Sequence, residues 1–385
     1  MTVRICSPHC GIAPETTSGG ETYERELLTR LGDLGVGIEI ILARGKRHPD
    51  GVRNWTVHRF AIARGLRWWV APLVVPPAIR GVWQRAPFDV LRAHSLRYMG
   101  PSALWARRHY RLGVPVVGHH HHLDASPLNR FIERPVIDAC DHVITVSRFS
   151  RGQLASELGC RTDHVSVVHN GIDERFAPAP RDAALAAQLG LGPGPYALFL
   201  GGLKPRKNLD FLLDVWREVS RRTPGATLLI AGSGPREPAL RRRAAALGMA
   251  RSVFFSGRVS EVDKVRFYNL ADVFVSVSSL EGFGFTVAEA MSCGLPVVVS
   301  ASGALPELVG DNPGGAICRL EEPNEFVNAL VGLLSSPERR REAGEANRRR
   351  IDTAFRWGRA ATQVHEIYRE LVARRRAARE PSAAR

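Results

Sequence analysis

The feature of this sequence that most limits its fold is a short apolar run followed by a glycine pair and a helical pattern. Tyr196-Ala-Leu-Phe-Leu200 lies between Gly194-Pro195 and Gly201-Gly202, as expected of a buried parallel strand. Apolar residues then recur at helical spacing, at Leu209, Leu212, Leu213, Trp216 and Val219. Because strand and helix patterns alternate elsewhere along the chain as well, we predict an α/β fold.

The loop between this strand and this helix is rich in cations. Its sequence is Gly201-Gly-Leu-Lys-Pro-Arg-Lys-Asn208, and it holds two of the four lysines among the 53 basic residues of the chain. Glycines let the backbone approach a ligand, and Arg206 and Lys207 can form charge-assisted hydrogen bonds with a diphosphate. The pattern predicts an anion site, and a solvated basic loop is the alternative.

Two carboxylates flank a second glycine-rich turn. After an apolar strand comes Glu281-Gly-Phe-Gly-Phe-Thr-Val-Ala-Glu289, in which a helix is predicted to begin near Gly284 or Phe285. A helix start directs free N–H groups and the positive end of its dipole toward an anion. The first glutamate then lies in the loop and the second on the helix, where each can accept hydrogen bonds from sugar or ribose hydroxyls. Local pairing of the second glutamate within its own helix is the alternative.

At these residues the sequence resembles the retaining, nucleotide-sugar-dependent glycosyltransferases of the GT-B fold, called family four or group one. The resemblance covers nearly the whole chain. It implies two Rossmann-like α/β domains that face each other across a cleft. It also implies a hexosyl transfer that retains the anomeric configuration, needs no metal and uses no cofactor besides the nucleoside-diphosphate-sugar donor.

The resemblance places most donor contacts on the two loops. The loop glutamate would contact the donor sugar, the helical glutamate the ribose hydroxyls, and the lysine the diphosphate, while the intervening backbone meets sugar and phosphate. These residues are Lys207, Glu281, Phe283, Gly284, Phe285 and Glu289. The family often has arginine where this sequence has Gly202, so phosphate binding would depend more on Arg206 and Lys207.

A further glycine pair near the N terminus lies between a predicted strand and a predicted helix. Val3-Arg-Ile-Cys-Ser7 is typical of a strand, and Thr17-Ser-Gly-Gly-Glu21 leads into a helical pattern. This resembles the family's first glycine loop, in which the backbone of Gly19 and Gly20 would approach the donor phosphates or the acceptor. An ordinary tight turn is the alternative. One face of the predicted helix carries Tyr23, Leu27, Leu31 and Leu34.

Four consecutive histidines, His119-His-His-His122, follow the predicted strand Val114-Pro-Val-Val-Gly118. They would therefore lie at the carboxyl edge of the sheet, where such folds bind ligands. By resemblance one histidine lies close to the reacting sugar carbon; His121 matches it, and His120 is the near alternative. A metal site made of all four is disfavoured because consecutive strand residues point to opposite faces.

Other patterns are assigned by resemblance alone. Phe88-Asp-Val-Leu-Arg-Ala-His94 is similar to a family strand in which the terminal histidine has a structural role. Asn170-Gly-Ile-Asp173 resembles the exit from the first domain, and Gly257 matches a loop near the nucleobase. Glu307 recurs in family patterns without an assigned role.

The length of 385 residues suits two domains. We predict an acceptor-binding domain at 1–173, completed by a crossing helix at about 357–378, and a nucleotide-sugar-binding domain at 174–356. Proline- and glycine-rich stretches within 174–195 flank a short alanine-rich helix, as is typical of a linker.

The formal net charge of +15 predicts attraction to anionic surfaces. The segment from Arg64 to Arg80 combines tryptophans, aliphatic residues and arginines, so it could lie on a membrane or grip a lipid-linked acceptor. A core helix interrupted by prolines is the favoured alternative. The arginine clusters at 339–341, 348–350 and 374–376 are expected to be solvated helix faces. The six cysteines show no pairing pattern, so reduced thiols are expected.

With no long apolar stretch and no signal-peptide pattern, we expect a cytoplasmic protein that can associate peripherally with a membrane. Its expected partners are the nucleotide-sugar donor, a glycan, lipid-linked or small-molecule acceptor, and an anionic membrane surface. No nucleic-acid motif is present. Cell-envelope polysaccharide or lipid-linked glycan synthesis is the expected role. The alternatives are glycosylation of a specialised metabolite, an epimerase or phosphorylase of the same fold, and a non-enzymatic basic binding module.

Overall fold

The computed structural model describes residues 2–9, 11–14, 19–62, 67–121 and 127–378, and of residues 67–69 and 127–130 only the backbone. The chain forms two compact units. The N-terminal unit consists of Met1–Gly171 together with Trp357–Arg385, and the C-terminal unit of Ile172–Arg356. The C-terminal unit thus begins just before the proline- and glycine-rich residues at 174–195.

In the described residues of the N-terminal unit, a seven-stranded parallel sheet has the order β3-β2-β1-β4-β5-β6-β7. Its strands are β1 (Arg4–His9), β2 (Gly37–Ala43), β3 (Trp55–Phe60), β4 (Val90–His94), β5 (Val116–His120), β6 (His142–Thr145) and β7 (Val165–Val167). Its helices are α1 (Gly19–Asp33), α2 (Arg67–Arg85), α3 (Met99–His109), α4 (Pro127–Ala139), α5 (Arg148–Ser156) and the last helix of the chain, α14 (Trp357–Ala377).

The order of these strands reverses between β1 and β4, because successive strands are added on one side up to β3 and on the other side from β4 onward. Open α/β sheets bind ligands beside the carboxyl ends of the strands at such a switch point. In this sheet those ends are His9 and His94, whose ring centroids lie 5.6 Å apart.

From Arg67 onward the arginine- and tryptophan-containing segment belongs to α2, and its described side chains favour the core-helix interpretation. Val75, Ile79 and Val82 are fully buried in the hydrophobic core, at helical spacing. The prolines were expected to interrupt the helix, but they do not, since Pro72 and the pair Pro76 and Pro77 lie inside it. Leu73 on the outer face is 75% exposed. The side chains of the two tryptophans lie outside the described residues.

In the described residues of the C-terminal unit, a six-stranded parallel sheet has the order β10-β9-β8-β11-β12-β13. Its strands are β8 (Tyr196–Leu200), β9 (Thr227–Ala231), β10 (Val253–Gly257), β11 (Val273–Ser276), β12 (Val297–Ser300) and β13 (Gly315–Cys318). Its helices are α6 (Ala183–Gln188), α7 (Leu209–Arg222), α8 (Glu237–Ala246), α9 (Lys264–Leu270), α10 (Phe285–Ser292), α11 (Leu305–Val309), α12 (Pro323–Leu334) and α13 (Pro337–Ala354).

The local predictions in this unit are confirmed. The uniformly apolar run forms β8, all of whose residues are buried, and the helical pattern after the cationic loop forms α7. The helix after the glycine-rich turn begins at Phe285, with Gly284 in the left-handed region at φ 99°. The order of this sheet reverses between β8 and β11, so the two predicted loops follow the two strands at the switch point.

Several predictions about surfaces are corrected. Leu34 was predicted to share one face of the first helix with Tyr23, Leu27 and Leu31, but α1 ends at Asp33 and Leu34 is 44% exposed. Two of the arginines that were expected on solvated helix faces instead donate hydrogen bonds to backbone carbonyls. Arg348 donates to the carbonyl of Ser292 at 2.7 Å, and Arg350 donates to that of Leu308 at 2.6 Å. These hydrogen bonds therefore connect α13 to α10 and α11.

Candidate functional site

The two predicted loops of the C-terminal unit meet at the switch point. Lys207 follows β8 and Glu281 follows β11, and the ammonium group of the lysine forms an ion pair with Oε1 of the glutamate. Arg206 lies 3.2 Å from Oε2 of the same carboxylate and donates to the carbonyl of Leu280 at 3.0 Å. The structure thus brings together both predicted cations and the predicted sugar-binding carboxylate.

The electrostatics of this cluster keep its carboxylate ionised. The side chain of Glu281 is 12% exposed and that of Lys207 is 10% exposed, so their contact is shielded from water. Burial alone would raise the pKa of Glu281, but the Lys207 ammonium and the Arg206 guanidinium outweigh it and hold that pKa below its ordinary value. Since Arg206 is half exposed and paired with one carboxylate oxygen only, the cluster retains cationic surface for a ligand.

The start of α10 lies beside these side chains and supplies backbone donors. Gly284 precedes the helix with a positive φ, and a Cβ there would lie 2.6 Å from a methyl carbon of Leu305. Glycine is therefore required both by conformation and by space. Phe283 and Phe285 pack edge to face with centroids 5.3 Å apart, which supports the turn from both sides. The backbone N–H groups at the start of a helix are suited to phosphate oxygens.

A second loop supports the backbone of Glu281. The amide of Ala304 donates to the carbonyl of Glu281 at 2.8 Å, and a Cβ on Gly303 would lie 2.5 Å from that carbonyl oxygen. Glu307 follows on α11, where its own carbonyl accepts a hydrogen bond from Arg350 at 3.0 Å. Its side chain still has no assigned role.

Glu289 pairs outside its own helix, contrary to the alternative of a local pair. It is buried on α10 and accepts a 2.7 Å hydrogen bond from the hydroxyl of Tyr268, while the ammonium of Lys264 lies 3.5 Å from its other oxygen. Both partners belong to α9. Burial raises the pKa of Glu289, and the Lys264 ammonium and the Tyr268 hydroxyl only partly offset this. The structure therefore holds the predicted ribose-binding carboxylate against two polar side chains of α9.

Gly257 lies farther along the same sheet edge. It ends β10, which is separated from β8 by β9. Its φ is 75°, and its carbonyl accepts a hydrogen bond from the amide of Gly232 at 2.8 Å. Gly257 is thus the last residue of a strand rather than part of the following loop, in a conformation that favours glycine.

In the N-terminal unit, Gly19 and Gly20 are the first two residues of α1 rather than parts of a loop. The preceding residues 15–18, which belong to the predicted glycine loop, lie outside the described residues. A Cβ on Gly20 would be 3.9 Å from Cε1 of His94. The start of α1 therefore lies within contact distance of the end of β4.

The histidine run differs in part from its prediction, because His119 and His120 belong to β5 and only His121 follows it among the described residues. The alternation of faces is confirmed. His119 and His121 both contact Tyr23 of α1, with ring centroids 5.9 and 4.4 Å away. His120 instead lies 3.4 Å from the hydroxyl of Thr145 on β6. His122 lies outside the described residues.

A buried ionic cluster beneath His94 and His121 was missed by the sequence analysis. Glu24 of α1 and Arg92 of β4 are fully buried and form a two-point ion pair, with N–O distances of 2.6 and 3.1 Å. Nδ1 of His94 lies 3.1 Å from Oε1 of Glu24. One signal was available: an arginine and a histidine alternate within the otherwise apolar strand β4, all of whose residues are buried.

The protonation of this cluster follows from its burial. Burial alone would raise the pKa of Glu24, but Arg92 and then His94 outweigh it and hold that pKa well below its ordinary value. Burial lowers the pKa of His9 to about 3 and that of His119 well below its ordinary value. The carboxylate of Glu24 and the guanidinium of Arg92 therefore balance each other's charge, and the imidazoles of His9 and His119 are neutral at neutral pH.

Among the described residues, one group of side chains has the geometry to hold a metal ion: Glu24, His94 and His121, each with one ligand atom within 4.8 Å of the others. Two imidazoles and a carboxylate are a donor set that divalent transition metals accept. However, the carboxylate is already neutralised by Arg92, and the guanidinium would repel a divalent cation at this place. We therefore assign no metal to this group.

Comparison with known proteins decides the family. The model described as "Glycosyl transferases group 1" matches residues 184–350, and "Glycosyltransferase Family 4" matches residues 17–176. The chain is also 31% identical over 400 aligned residues to "D-inositol 3-phosphate glycosyltransferase 2" of Catenulispora acidiphila, covering 94% of this chain and 92% of that protein. The chain belongs to the group 1 glycosyltransferases. It is a nucleotide-sugar-dependent glycosyltransferase, as its sequence motifs predicted.

Two further similarities place this glycosyltransferase among known proteins. It is 31% identical over 299 residues to a "GDP-mannose-dependent alpha-(1-6)-phosphatidylinositol monomannoside mannosyltransferase" of Mycolicibacterium smegmatis, covering 75% of this chain and 76% of that protein. Its fold is similar to that of Anabaena Alr3699/HepE, solved with UDP and glucose, with a TM-score of 0.78 at 19% identity, over 96% of this chain and all of that one. The predicted GT-B fold class is thereby confirmed. The described part of the glycosyltransferase has no helix with the length and apolar character needed to span a bilayer.

Proposed function

We propose that this glycosyltransferase moves a hexosyl group from a nucleoside-diphosphate sugar to an acceptor hydroxyl, with retention of configuration and without a metal ion. The observation that carries the proposal is the contact of Lys207 and Arg206 with Glu281 at the β8/β11 switch point. Two cations and a helix start can stabilise a departing diphosphate, which is the task that a divalent metal performs in other enzymes.

Donor binding in this proposal is an exchange of partners. In the ligand-free arrangement both cations neutralise Glu281. Diphosphate oxygens bound at the start of α10 would take over Lys207 and Arg206 through charge-assisted hydrogen bonds. Glu281 is then released to accept hydrogen bonds from hydroxyls of the donor sugar, so binding of the phosphate and binding of the sugar depend on each other.

The remaining donor contacts follow the same edge of the sheet. Glu289 would accept from the ribose hydroxyls, with Tyr268 and Lys264 fixing the orientation of its carboxylate. The backbone at Gly257 would approach the nucleobase. In the N-terminal unit, Gly19 and Gly20 would approach the donor phosphates or the acceptor, and His121 would lie near the reacting sugar carbon.

The acceptor is proposed to be a cell-envelope glycan or a lipid-linked molecule. A relative named for phosphatidylinositol monomannoside supports this class. Relatives named for D-inositol 3-phosphate support the alternative of a small-molecule acceptor. The net charge of +15 supports attraction to an anionic membrane surface, at which such an acceptor would be presented. A peripheral position on the inner face of the membrane is part of the same proposal.

A thermal-shift screen against UDP, GDP, ADP and their common sugar conjugates tests the donor site. A ligand that binds only the folded protein stabilises it by about 2.7 kcal/mol at a hundredfold excess over its dissociation constant. We expect one nucleotide series to stabilise the wild type but to have little effect on Lys207→Ala or Glu289→Ala. Lys204→Ala is the matched control, since Lys204 is an exposed lysine of the same loop. Equal responses of Lys207→Ala and Lys204→Ala would exclude the proposed site.

Product analysis tests the reaction itself. With the donor from the screen, transfer to D-inositol 3-phosphate and to phosphatidylinositol mannoside in anionic vesicles is followed by NMR of the anomeric proton, with and without EDTA. We expect the donor's anomeric configuration in the product and an unchanged rate with EDTA. An inverted product argues against retention, and loss of activity with EDTA argues against the metal-free mechanism.

A further inference from the structure

We infer that Lys264 is the counter-ion that keeps Glu289 in its carboxylate form, and that the affinity for the ribose of the nucleotide depends on this charge down to mildly acidic pH. The inference rests on the proposed function, in which Glu289 accepts hydrogen bonds from the ribose hydroxyls. It adds a positioning residue that acts through Glu289, and a pH range over which the donor site works.

The packing of two helices places Lys264 against Glu289. Lys264 is the first residue of α9, and Glu289 lies in the second turn of α10. The ammonium nitrogen is 3.5 Å from Oε1 of Glu289, while Oε2 accepts the 2.7 Å hydrogen bond from the hydroxyl of Tyr268. Lys264 and Tyr268 are four residues apart and so share one face of α9. Each oxygen of the carboxylate therefore has a partner on that face.

Burial makes the charge of Glu289 depend on a neighbouring cation. The residue retains 5% of its surface, and Tyr268 beside it is fully buried. A carboxyl group in such surroundings takes up a proton at higher pH than in water, unless a positive charge lies close to it. Burial raises the pKa of Glu289, and the Lys264 ammonium is the largest influence that lowers it. Without that ammonium the carboxyl would be protonated up to a higher pH.

A second carboxylate holds Lys264 in place. The ammonium lies 2.8 Å from Oε1 of Glu261, whose Oε2 accepts a 3.3 Å hydrogen bond from Arg175. Burial alone would lower the pKa of Lys264, but Glu289 and Glu261 outweigh it and hold that pKa above its ordinary value. The lysine therefore stays charged from acidic to mildly alkaline pH. Four side chains form a row of alternating charge: Arg175, Glu261, Lys264 and Glu289.

The other ionisable groups on the elements packed around α10 are neutral or paired elsewhere. Burial and then the glutamate raise the pKa of the Cys293 thiol to about 12 and that of Tyr268 well above its ordinary value, so both are uncharged. On and after α13, Arg348 and Arg356 both form ion pairs with Asp352. The strands β11 and β12 carry no ionisable side chain. The lysine is thus the cation in contact with this carboxylate.

The charge of Glu289 decides the strength of the ribose contact. A carboxylate can accept from two vicinal hydroxyls, whereas a carboxylic acid uses one oxygen as a donor, and hydrogen bonds to a charged acceptor are the stronger ones. Where the acid form predominates, a proton must be lost before the ribose is held tightly. The dissociation constant of the nucleotide then rises by up to about tenfold for each unit by which the pH falls.

A titration of the free protein tests the charge of Glu289 without any donor. With the glutamate carboxyl carbons labelled with carbon-13, NMR follows the signal that is absent in Glu289→Gln between about pH 5 and pH 9. In Lys264→Met and in Lys264→Gln we expect its midpoint to lie about one pH unit or more above that of the wild type. Lys264→Arg, which keeps the charge, should titrate close to the wild type. Melting temperatures show whether each variant is folded.

Arg266→Met is the matched control for this titration. Arg266 is also a cation of α9, but it pairs with Asp182 at 2.7 Å. Its loss removes the same charge from the same helix and should leave the midpoint of Glu289 unchanged. A midpoint that stays in place in both neutral variants of Lys264, or that moves equally in Arg266→Met, overturns the inference.

Binding of ribose and deoxyribose nucleotides tests the consequence for the donor site. Isothermal titration calorimetry compares UDP, GDP or ADP, as selected by the donor screen, with its 2′-deoxy form at about pH 6.5 and about pH 8.5. The ratio of the two dissociation constants cancels the titration of the phosphates. We expect a ratio of about tenfold in the wild type at both pH values. In Lys264→Met it should fall below about threefold at the lower pH and recover at the higher pH.

Three results of the calorimetry would contradict the inference. An unchanged ratio in Lys264→Met at the lower pH would show that the lysine does not serve the ribose contact. A loss of the same size at both pH values would mean that the lysine contacts the nucleotide itself or only supports the fold. If the NMR midpoint shifts as expected but the wild type binds no nucleotide, the proposed donor site is refuted, and with it the role of this charge in binding ribose.

Discussion

Lys207 and Glu281 form an ion pair across the switch point of the C-terminal sheet, although they are 74 residues apart in the chain. Each follows one of the two strands, β8 and β11, between which the strand order reverses. The pair joins the cation that is proposed to bind the diphosphate to the carboxylate that is proposed to bind the donor sugar. The consequences for ligand binding can be measured.

Substitution Lys207→Ala should weaken binding of UDP or GDP by about 1.5 to 3 kcal/mol, which is the range for hydrogen bonds to charged groups. It should also raise the pKa of Glu281, because Arg206 is then the one left of the two cations, Lys207 and Arg206, that lower this pKa. Isothermal titration calorimetry with the nucleotide selected by the donor screen measures the first effect. Lys204→Ala should bind like the wild type, and a similar loss in both variants would point to general charge rather than to a specific contact.

Substitution Glu281→Gln should have opposite effects on binding and on turnover. Because the diphosphate no longer competes with a carboxylate for Lys207 and Arg206, the free nucleotide should bind as tightly as to the wild type, or several-fold more tightly. Transfer should fall by about a hundredfold, because the charged group that is proposed to contact the donor sugar is lost. Calorimetry and steady-state kinetics on the same preparation test both. Weaker nucleotide binding would contradict the exchange of partners.

Substitution Gly284→Ala should destabilise the C-terminal unit by about 2 to 4 kcal/mol. The added methyl group meets Leu305 at 2.6 Å, and the backbone stays at a positive φ that alanine adopts only under strain. Gly248→Ala is the control, because Gly248 has a φ of 71° with nothing within 4 Å of its Cβ position. Urea unfolding should show a loss of about 1 kcal/mol in unfolding free energy for the control. Equal losses of unfolding free energy in the two variants would show that the contact with Leu305 is not a cause of the destabilisation.

Substitution Arg92→Met should destabilise the N-terminal unit by about 3 to 5 kcal/mol, because it leaves the Glu24 carboxylate buried without its partner. The double variant Glu24→Gln with Arg92→Met should recover part of this loss. A double-mutant cycle by urea unfolding measures the coupling. Additive losses in the cycle would contradict a direct ion pair.

The stability of the N-terminal unit should fall as the pH drops below neutrality. Burial lowers the folded-state pKa of His9 from 6.5 to about 3, so between those values the unfolded chain binds a proton that the folded chain does not. Stability from this residue is complete above pH 6.5 and is lost as the pH falls, by up to about 1.4 kcal/mol per pH unit. His9→Asn should flatten the unfolding free energy between pH 4 and 6.5. His48→Gln, at a partly exposed histidine, should not flatten it.

The sequence by itself determined the elements and the edge at which they bind ligands. Apolar runs, glycine pairs and helical spacing depend on neighbours only a few residues away, so β8, α7 and the start of α10 were predicted closely. The carboxyl edge of the strands follows from the order of strand and loop in each unit. Where local propensity was the only guide, it also misplaced features, as with the prolines that remain inside α2.

Only the tertiary structure decided which side chains meet. Glu24 contacts Arg92 across 68 residues of chain, and Tyr368 of α14 reaches the same arginine across 276. Glu289 turns to α9 rather than to its own helix. Such pairs depend on the order of strands in the sheet and on which face each helix covers, and these are settled by packing of the whole core. A periodic pattern in the sequence carries no record of that choice, because the same pattern is compatible with several strand orders.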